Sequence, residues 1–190
     1  MQLHKRDVVD AATTLLDSYG IADLTMRRLA RELDVSPGAL YWHFANKQQL
    51  LGAIADRILE PVGEVSGEWR ERVTGLCGRL RDALLSHTDG AELVSASFAA
   101  GQSEAMSRVL AQLTDATADA GVAPVHGELA ARTVIYYVLG FSADEQSRLQ
   151  WDAAGADVVQ PVWTENPSAR FAFGLDLLTD GIAVHSRTDA

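Results

Sequence analysis

The sequence predicts an all-α protein: an N-terminal three-helix unit of the helix-turn-helix kind, followed by a larger helical C-terminal region. Three observations predict it. Apolar residues recur at helical spacing in nearly every segment, with no alternating strand pattern and no internal repeat. Three helix-start signals are crowded into residues 24–51. The acidic excess of the chain lies entirely beyond residue 50.

The first helix is expected from about 4 to 19, with Val8, Ala12, Leu15, Leu16 and Tyr19 on one face and Gly20 as its stop. Thr25 is an N-cap residue, and Leu29, Ala30 and Leu33 then recur at helical spacing, giving a second helix over 26–33. Asp34-Val35-Ser36 breaks it. Ser36 caps the next segment, and Pro37 suits its first position because the missing N–H would have had no intrahelical partner. Leu40 and Phe44, four apart, face inward, which turns Pro37, Gly38, Tyr41 and Trp42 outward. Two large aromatics exposed on so short a helix need a reason. Both can pack on sugar and phosphate while offering an O–H or N–H donor. Asn46 caps the third helix, Gln49 completes a capping box, and Lys47 adds charge to amides already suited to phosphate.

Thr25-x-Arg27-x-Leu29-Ala30-x-x-Leu33-x-Val35, then Leu40-Tyr41-Trp42-His43-Phe44 and Asn46-Lys47, closely resembles the DNA-binding domain of the TetR family. The Tyr-Trp-His and Asn-Lys pieces are most similar to its tetracycline-repressor members. The resemblance implies a reader domain over 1–46, a connecting helix over 47–61 whose tilt transmits ligand binding, and a ligand-binding and dimerisation domain over 62–190. The connecting helix carries Leu50, Leu51, Ile54 and Ile58 and ends at Glu60-Pro61.

Helical periodicity continues near 66–86, 90–99, 102–120, 125–150 and 167–185. Residues 133–141 are apolar on nearly every side and must be covered all round. The last helix has Phe171, Leu175, Leu178 and Ile182 on one stripe, with Gly174 and Gly181 permitting close approach. These two helices are read as the homodimer interface, since reading a palindrome with two recognition helices needs two-fold symmetry. Arg170-Phe-x-Phe-Gly-Leu-x-Leu-Leu-x-Asp-Gly181 also resembles the end of tetracycline-repressor-type C-terminal domains. Between them, Trp69, Leu76, Leu80, Phe98, Met106, Leu110, Leu113, Tyr136, Tyr137 and Phe141 either line a cavity or fill a solid core. The family resemblance favours the cavity and a small-molecule effector. Residues 152–166 read as a long connection, with Trp163 a lid aromatic or an anchor.

Departures from the tetracycline repressors narrow the expectation. Aligning Asp89-Gly90-Ala91 puts Val94 where those proteins have a metal-contacting histidine, and valine cannot ligate a cation. Glu145 falls near their acidic residue and is read as surface charge or a polar pocket residue. The effector is therefore expected to be largely apolar or aromatic, contacted also by Val94, with no metal or other cofactor. Pro37-Gly38-Ala39 replaces Gln-Pro-Thr, so the operator should differ. The DNA-facing set is Thr25, Arg27, Arg28, Pro37, Gly38, Ala39, Tyr41, Trp42, His43 and Lys47, with Arg27 placed on a guanine and the aromatics, His43 and Lys47 on the backbone.

Other classes are poorly served. The 190 residues hold 16 Lys and Arg against 26 Asp and Glu, but residues 1–50 are balanced at six and six, so only that end approaches phosphate without strong repulsion. No His-Glu-x-x-His, phosphate loop or nucleophile elbow occurs, and the five histidines lack ligand spacing, which argues against an enzyme. The single cysteine, Cys77, excludes an internal disulfide; as a lone thiol it is a core residue or, alternatively, a redox sensor. No secretory signal or membrane segment is read, which places the protein in the cytoplasm. A ligand-independent regulator or an activator is the remaining alternative.

Overall fold

The computed structural model describes residues 3–153, 155 and 166–188. Trp163 and most of the predicted connection 152–166 lie outside the described residues. Among those described there are nine α-helices and one 3₁₀ turn, with no strand. The chain divides into two compact units, Met1–Pro61 with Asp82–Ser107, and Val62–Arg81 with Arg108–Ala190.

The first unit is built on α1 (Lys5–Asp23), α2 (Met26–Glu32), α3 (Pro37–Tyr41), α4 (Lys47–Ile58) and α6 (Gly90–Ala99). Val8, Ala12, Leu15 and Leu16 of α1 are buried at the predicted spacing, as are Leu29, Leu40, Phe44, Leu50, Ile54 and Ile58. Gly20 does interrupt α1: its φ of 76° and ψ of 174° form a backbone state open to glycine alone, and one further turn, Ile21–Asp23, follows the kink. Tyr19 is not on the buried face as expected. It sits at the kink, more than half exposed, and its ring carries the Arg28 guanidinium 3.8 Å from the centroid.

Helix α4 packs on α1 and, most extensively, on α6. Both ends of α6 are fastened to the helix-turn-helix elements. At its start, Asp17 Oδ1 accepts from Thr88 N at 3.1 Å, Thr88 Oγ1 donates to Asp17 O at 3.0 Å, and Asp89 Oδ2 accepts from Ile21 N at 2.9 Å. Beyond its end, Asp56 Oδ1 of α4 accepts from Ser103 Oγ at 2.7 Å and from Ala105 N at 2.8 Å, capping the first turn of α7 (Glu104–Asp119). Gly52 of α4 meets the backbone of Gln102, where a Cβ would come within 2.1 Å of the carbonyl oxygen. That approach is open only to a residue without a side chain.

The second unit holds α5 (Trp69–Leu85) as far as Arg81, α7 from Arg108, α8 (Pro124–Ala153) and α9 (Pro167–Thr188). Leu76, Cys77, Leu80, Leu113, Val134, Ile135 and Val138 are buried. Arginines of α5 tie the helices together. Arg70 reaches Thr179 and Asp180 of α9 at 2.9 and 2.8 Å, Arg72 pairs with Asp119, and Arg81 makes a two-pronged bond to Glu145 at 2.9 and 2.7 Å. Tyr137 donates to the Phe171 carbonyl at 2.8 Å and stacks on the Phe171 ring. The α9 stripe buries Phe171, Leu175 and Ile182 against α8. Residues 133–141 are not covered all round within one protomer, since Tyr136 is 57% exposed; Leu129 of α8 and Phe173 and Leu177 of α9 are also bare.

Candidate nucleic-acid interface

Local capping builds the first unit's outer surface. Thr25 Oγ1 accepts from Arg28 N at 3.2 Å, Ser36 Oγ from Ala39 N at 3.3 Å, and Asn46 Oδ1 from Gln49 N at 2.9 Å. Each cap leaves its helix's first N–H groups at the surface beside a short polar side chain. The capping box at Asn46 is displaced by one residue, because Gln49 Oε1 accepts from Ala45 N. The turn between α2 and α3 passes through Asp34 at a φ of 52° and closes with Val35 N donating to Ala30 O at 2.9 Å. Aspartate tolerates this left-handed state better than most side chains.

With Leu40 and Phe44 buried, Tyr41 is 50% and Trp42 90% exposed. Pro37 and Gly38 are exposed, and Ala39, His43 and Lys47 half-buried. Lys5 sits over the Phe44 ring at 4.9 Å, bracing the start of α1 on this layer. Thr25 and Arg27 are exposed at the start of α2, and neither Arg27 nor Lys47 has a charged or hydrogen-bonding side-chain partner among the described residues. Arg28 differs. It is held by Asp23 at 2.5 Å and by the Tyr19 ring. The surface thus presents the partnerless cations Arg27 and Lys47 in the first turns of α2 and α4, and two exposed aromatics at the end of α3, which suits a phosphate backbone flanking a groove.

The residues singled out as effector contacts are divided between the units. Val94, Phe98 and Met106 belong to the first, with Val94 and Met106 buried. Trp69, Leu80, Leu110, Leu113, Tyr136, Tyr137 and Phe141 belong to the second, where Leu80 and Leu113 are buried and Tyr136 faces outward. An apolar groove of about 390 Å³ runs between α8 and α9, lined by Leu129, Thr133, Leu177 and Gly181 among others and by none of those seven. Glu145 is neither free surface charge nor an open ligand, because the Arg81 guanidinium occupies both its oxygens, with side-chain exposures of 11% and 16%. Cys77 is buried, and burial pushes its thiol up to about 12. Sequence reasoning missed the Arg81–Glu145 pair, the Asp56 cap and the Tyr137–Phe171 bond, each of which joins residues more than thirty positions apart.

This arrangement defines a helix-turn-helix protein whose reader is attached to a helical body. Residues 8–54 match the model of the bacterial regulatory proteins, tetR family, and residues 61–164 that of the tetracyclin repressor-like C-terminal domain. Mycobacterium smegmatis BioQ is 62% identical with a TM-score of 0.91, covering 97% of this chain and 99% of that one. A structure of BioQ with its natural double-stranded DNA operator is 60% identical with a TM-score of 0.86, covering 97% and 100%. The tetracycline repressor protein class A from transposon 1721 of Escherichia coli is 33% identical over 202 residues, covering 96% of this chain and 91% of the relative. The chain belongs to the TetR family. It is a DNA-binding transcription regulator and not an enzyme, and no helix among its described residues is long and apolar enough to cross a membrane.

Proposed function

We propose that the protein is a cytoplasmic repressor that binds a palindromic operator as a homodimer and is released by a small, largely apolar effector. The observation that carries the DNA reading is the exposed Tyr41-Trp42 pair beside partnerless Arg27 and Lys47, on a chain 60% identical to a protein crystallised on its operator. Residues 1–46 act as the reader, 47–61 as the connecting helix and 62–190 as the ligand-binding and dimerisation domain. Arg27 contacts a guanine; Thr25, Tyr41, Trp42, His43 and Lys47 hold the backbone, and Pro37-Gly38-Ala39 approaches the base edges. The bare apolar face of α8 and α9, with Leu129, Tyr136, Phe173 and Leu177, supports dimerisation through those helices. Two recognition helices related by two-fold symmetry about 34 Å apart meet successive major grooves. An effector that favours a splayed form lowers DNA affinity by linkage, and several kcal/mol of differential affinity are needed to empty a well-occupied site. A valine at position 94 and the Arg81–Glu145 pair both favour an effector bound without a metal.

The test is selection from a random duplex pool by the purified protein at moderate salt. Enrichment of a palindrome with half-sites about one helical turn apart is the expected result. Arg27→Ala then costs about 1 to 3 kcal/mol on the enriched site and little on scrambled DNA. No enrichment by effector-free protein, or equal losses on both duplexes, would overturn the reading.

A further inference from the structure

On an α-helix, residues four apart are offset by only about 40°, so Arg27 and Arg31 of α2 share one flank, and Arg28 and Glu32 the other. Met26, Leu29 and Ala30 are buried between these flanks. The structure separates the three arginines chemically as well. Arg28 is anchored on α1 by the Asp23 carboxylate at 2.5 Å and by the Tyr19 ring at 3.8 Å from its centroid. Its Nη1 donates to that carboxylate. Arg31 is exposed and, like Arg27, has no charged, hydrogen-bonding or ring partner among the described residues. Arg27, Arg28 and Arg31 all border one shallow surface groove with Thr25, whose hydroxyl oxygen accepts the α2 cap bond, so what distinguishes Arg28 is its partners and not its place. Asp23 and Glu32 also border that groove, but Asp23 is neutralised by Arg28.

We propose that α2 meets DNA along its Thr25–Arg27–Arg31 flank, with Arg31 as a phosphate-contacting residue one turn beyond Arg27, and that Arg28 is a positioning residue withheld from the duplex. This rests on the DNA-binding reading above. It replaces Arg28 by Arg31 as the second cation that α2 contributes to DNA. A guanidinium free of internal partners loses no protein contact on reaching a phosphate, whereas Arg28 would have to give up a charge-assisted bond and a ring face. The number of cations that α2 brings to DNA stays at two per protomer; the identity of the second changes.

The experiment is fluorescence anisotropy of the full-length protein on two labelled duplexes, the one enriched by selection and a scrambled one, across about 50 to 300 mM KCl. Arg31→Ala is expected to flatten the log–log salt slope by about one unit per protomer engaged, equally on both duplexes, with an unchanged melting temperature. Arg31→Lys, which keeps the charge, should retain the wild-type slope. Arg28→Ala should keep the wild-type slope and lower the melting temperature; Arg28→Gln serves if the alanine variant fails to fold. An unchanged slope for Arg31→Ala would overturn the proposal. So would a slope lowered by Arg28→Ala at unchanged melting temperature. If the wild type binds neither duplex with salt dependence, the DNA-binding reading itself falls, and this inference with it.

Discussion

Replacing Gly52 by alanine tests how tightly α4 is seated against the turn that follows α6. A Cβ at this position would lie 2.1 Å from the Gln102 carbonyl oxygen and 2.9 Å from both its carbonyl carbon and its Cβ. Carbon and oxygen do not approach so closely, so α4 and the turn must part by about 1 Å, and the obstructing atoms are backbone, which cannot swing aside. The neighbours restrict relief, because Ile54 and Ala55 are buried and Asp56 grips Ser103 Oγ and Ala105 N at 2.7 and 2.8 Å. Overpacking costs about 1 to 3 kcal/mol, loss of a hydrogen bond to a carboxylate about 1.5 to 3, and alanine returns about 1 through helix propensity. The net expectation is a destabilisation of about 2 to 4 kcal/mol. Urea denaturation followed by circular dichroism, at one fixed protein concentration because the stability of an oligomer depends on it, reads it directly. Gly78→Ala is the matched control: it lies within α5, where an added Cβ meets nothing within 4 Å. That substitution should be neutral or stabilising by up to about 1 kcal/mol. Gly52→Ala with stability equal to the Gly78→Ala variant would refute the close approach of α4 to Gln102.

Three further outcomes follow from the second unit. Arg81→Ala leaves Glu145 largely buried without its partner and should cost about 3 to 5 kcal/mol, much of it recovered when Glu145→Leu is added; a loss under 1 kcal/mol in urea would mean the pair is solvated in solution. Cys77 should resist a thiol reagent until the protein unfolds. Its thiol is pushed from 9.0 to about 12 by burial, so the unfolded chain sheds that proton first, and stability relative to Cys77→Ala should fall as pH rises above 9, by about 4 kcal/mol near pH 12. Rapid native-state labelling would instead reopen redox sensing. Phe173→Asp with Leu177→Asp puts charge on the bare α9 face and should give a monomer by sedimentation velocity with much weaker operator binding; an intact dimer would move the interface elsewhere.

Much of the reader was legible in the sequence because its determinants are local. Thr25, Ser36 and Asn46 each cap a backbone N–H three residues on, and Leu40 and Phe44 are buried four apart, so residue identity over one helical turn sufficed to locate α2, α3 and α4. The family resemblance rested on the same short spans. Charge told equally directly which end of the chain can approach DNA. What the sequence could not decide was partnership. Arg27 and Arg28 are adjacent and chemically identical, yet the kink at Gly20 brings Tyr19 and Asp23 to only one of them. Glu145 is 64 positions from the arginine that binds it, and Asp56 47 from the serine that it holds. Such distances carry no periodicity or spacing rule. They are set by how helices pack, since a carboxylate largely removed from water must take whichever cation or N–H the tertiary structure delivers. The sequence by itself determined the helices and their exposed faces; the tertiary structure decided which of the charges on those faces remain available.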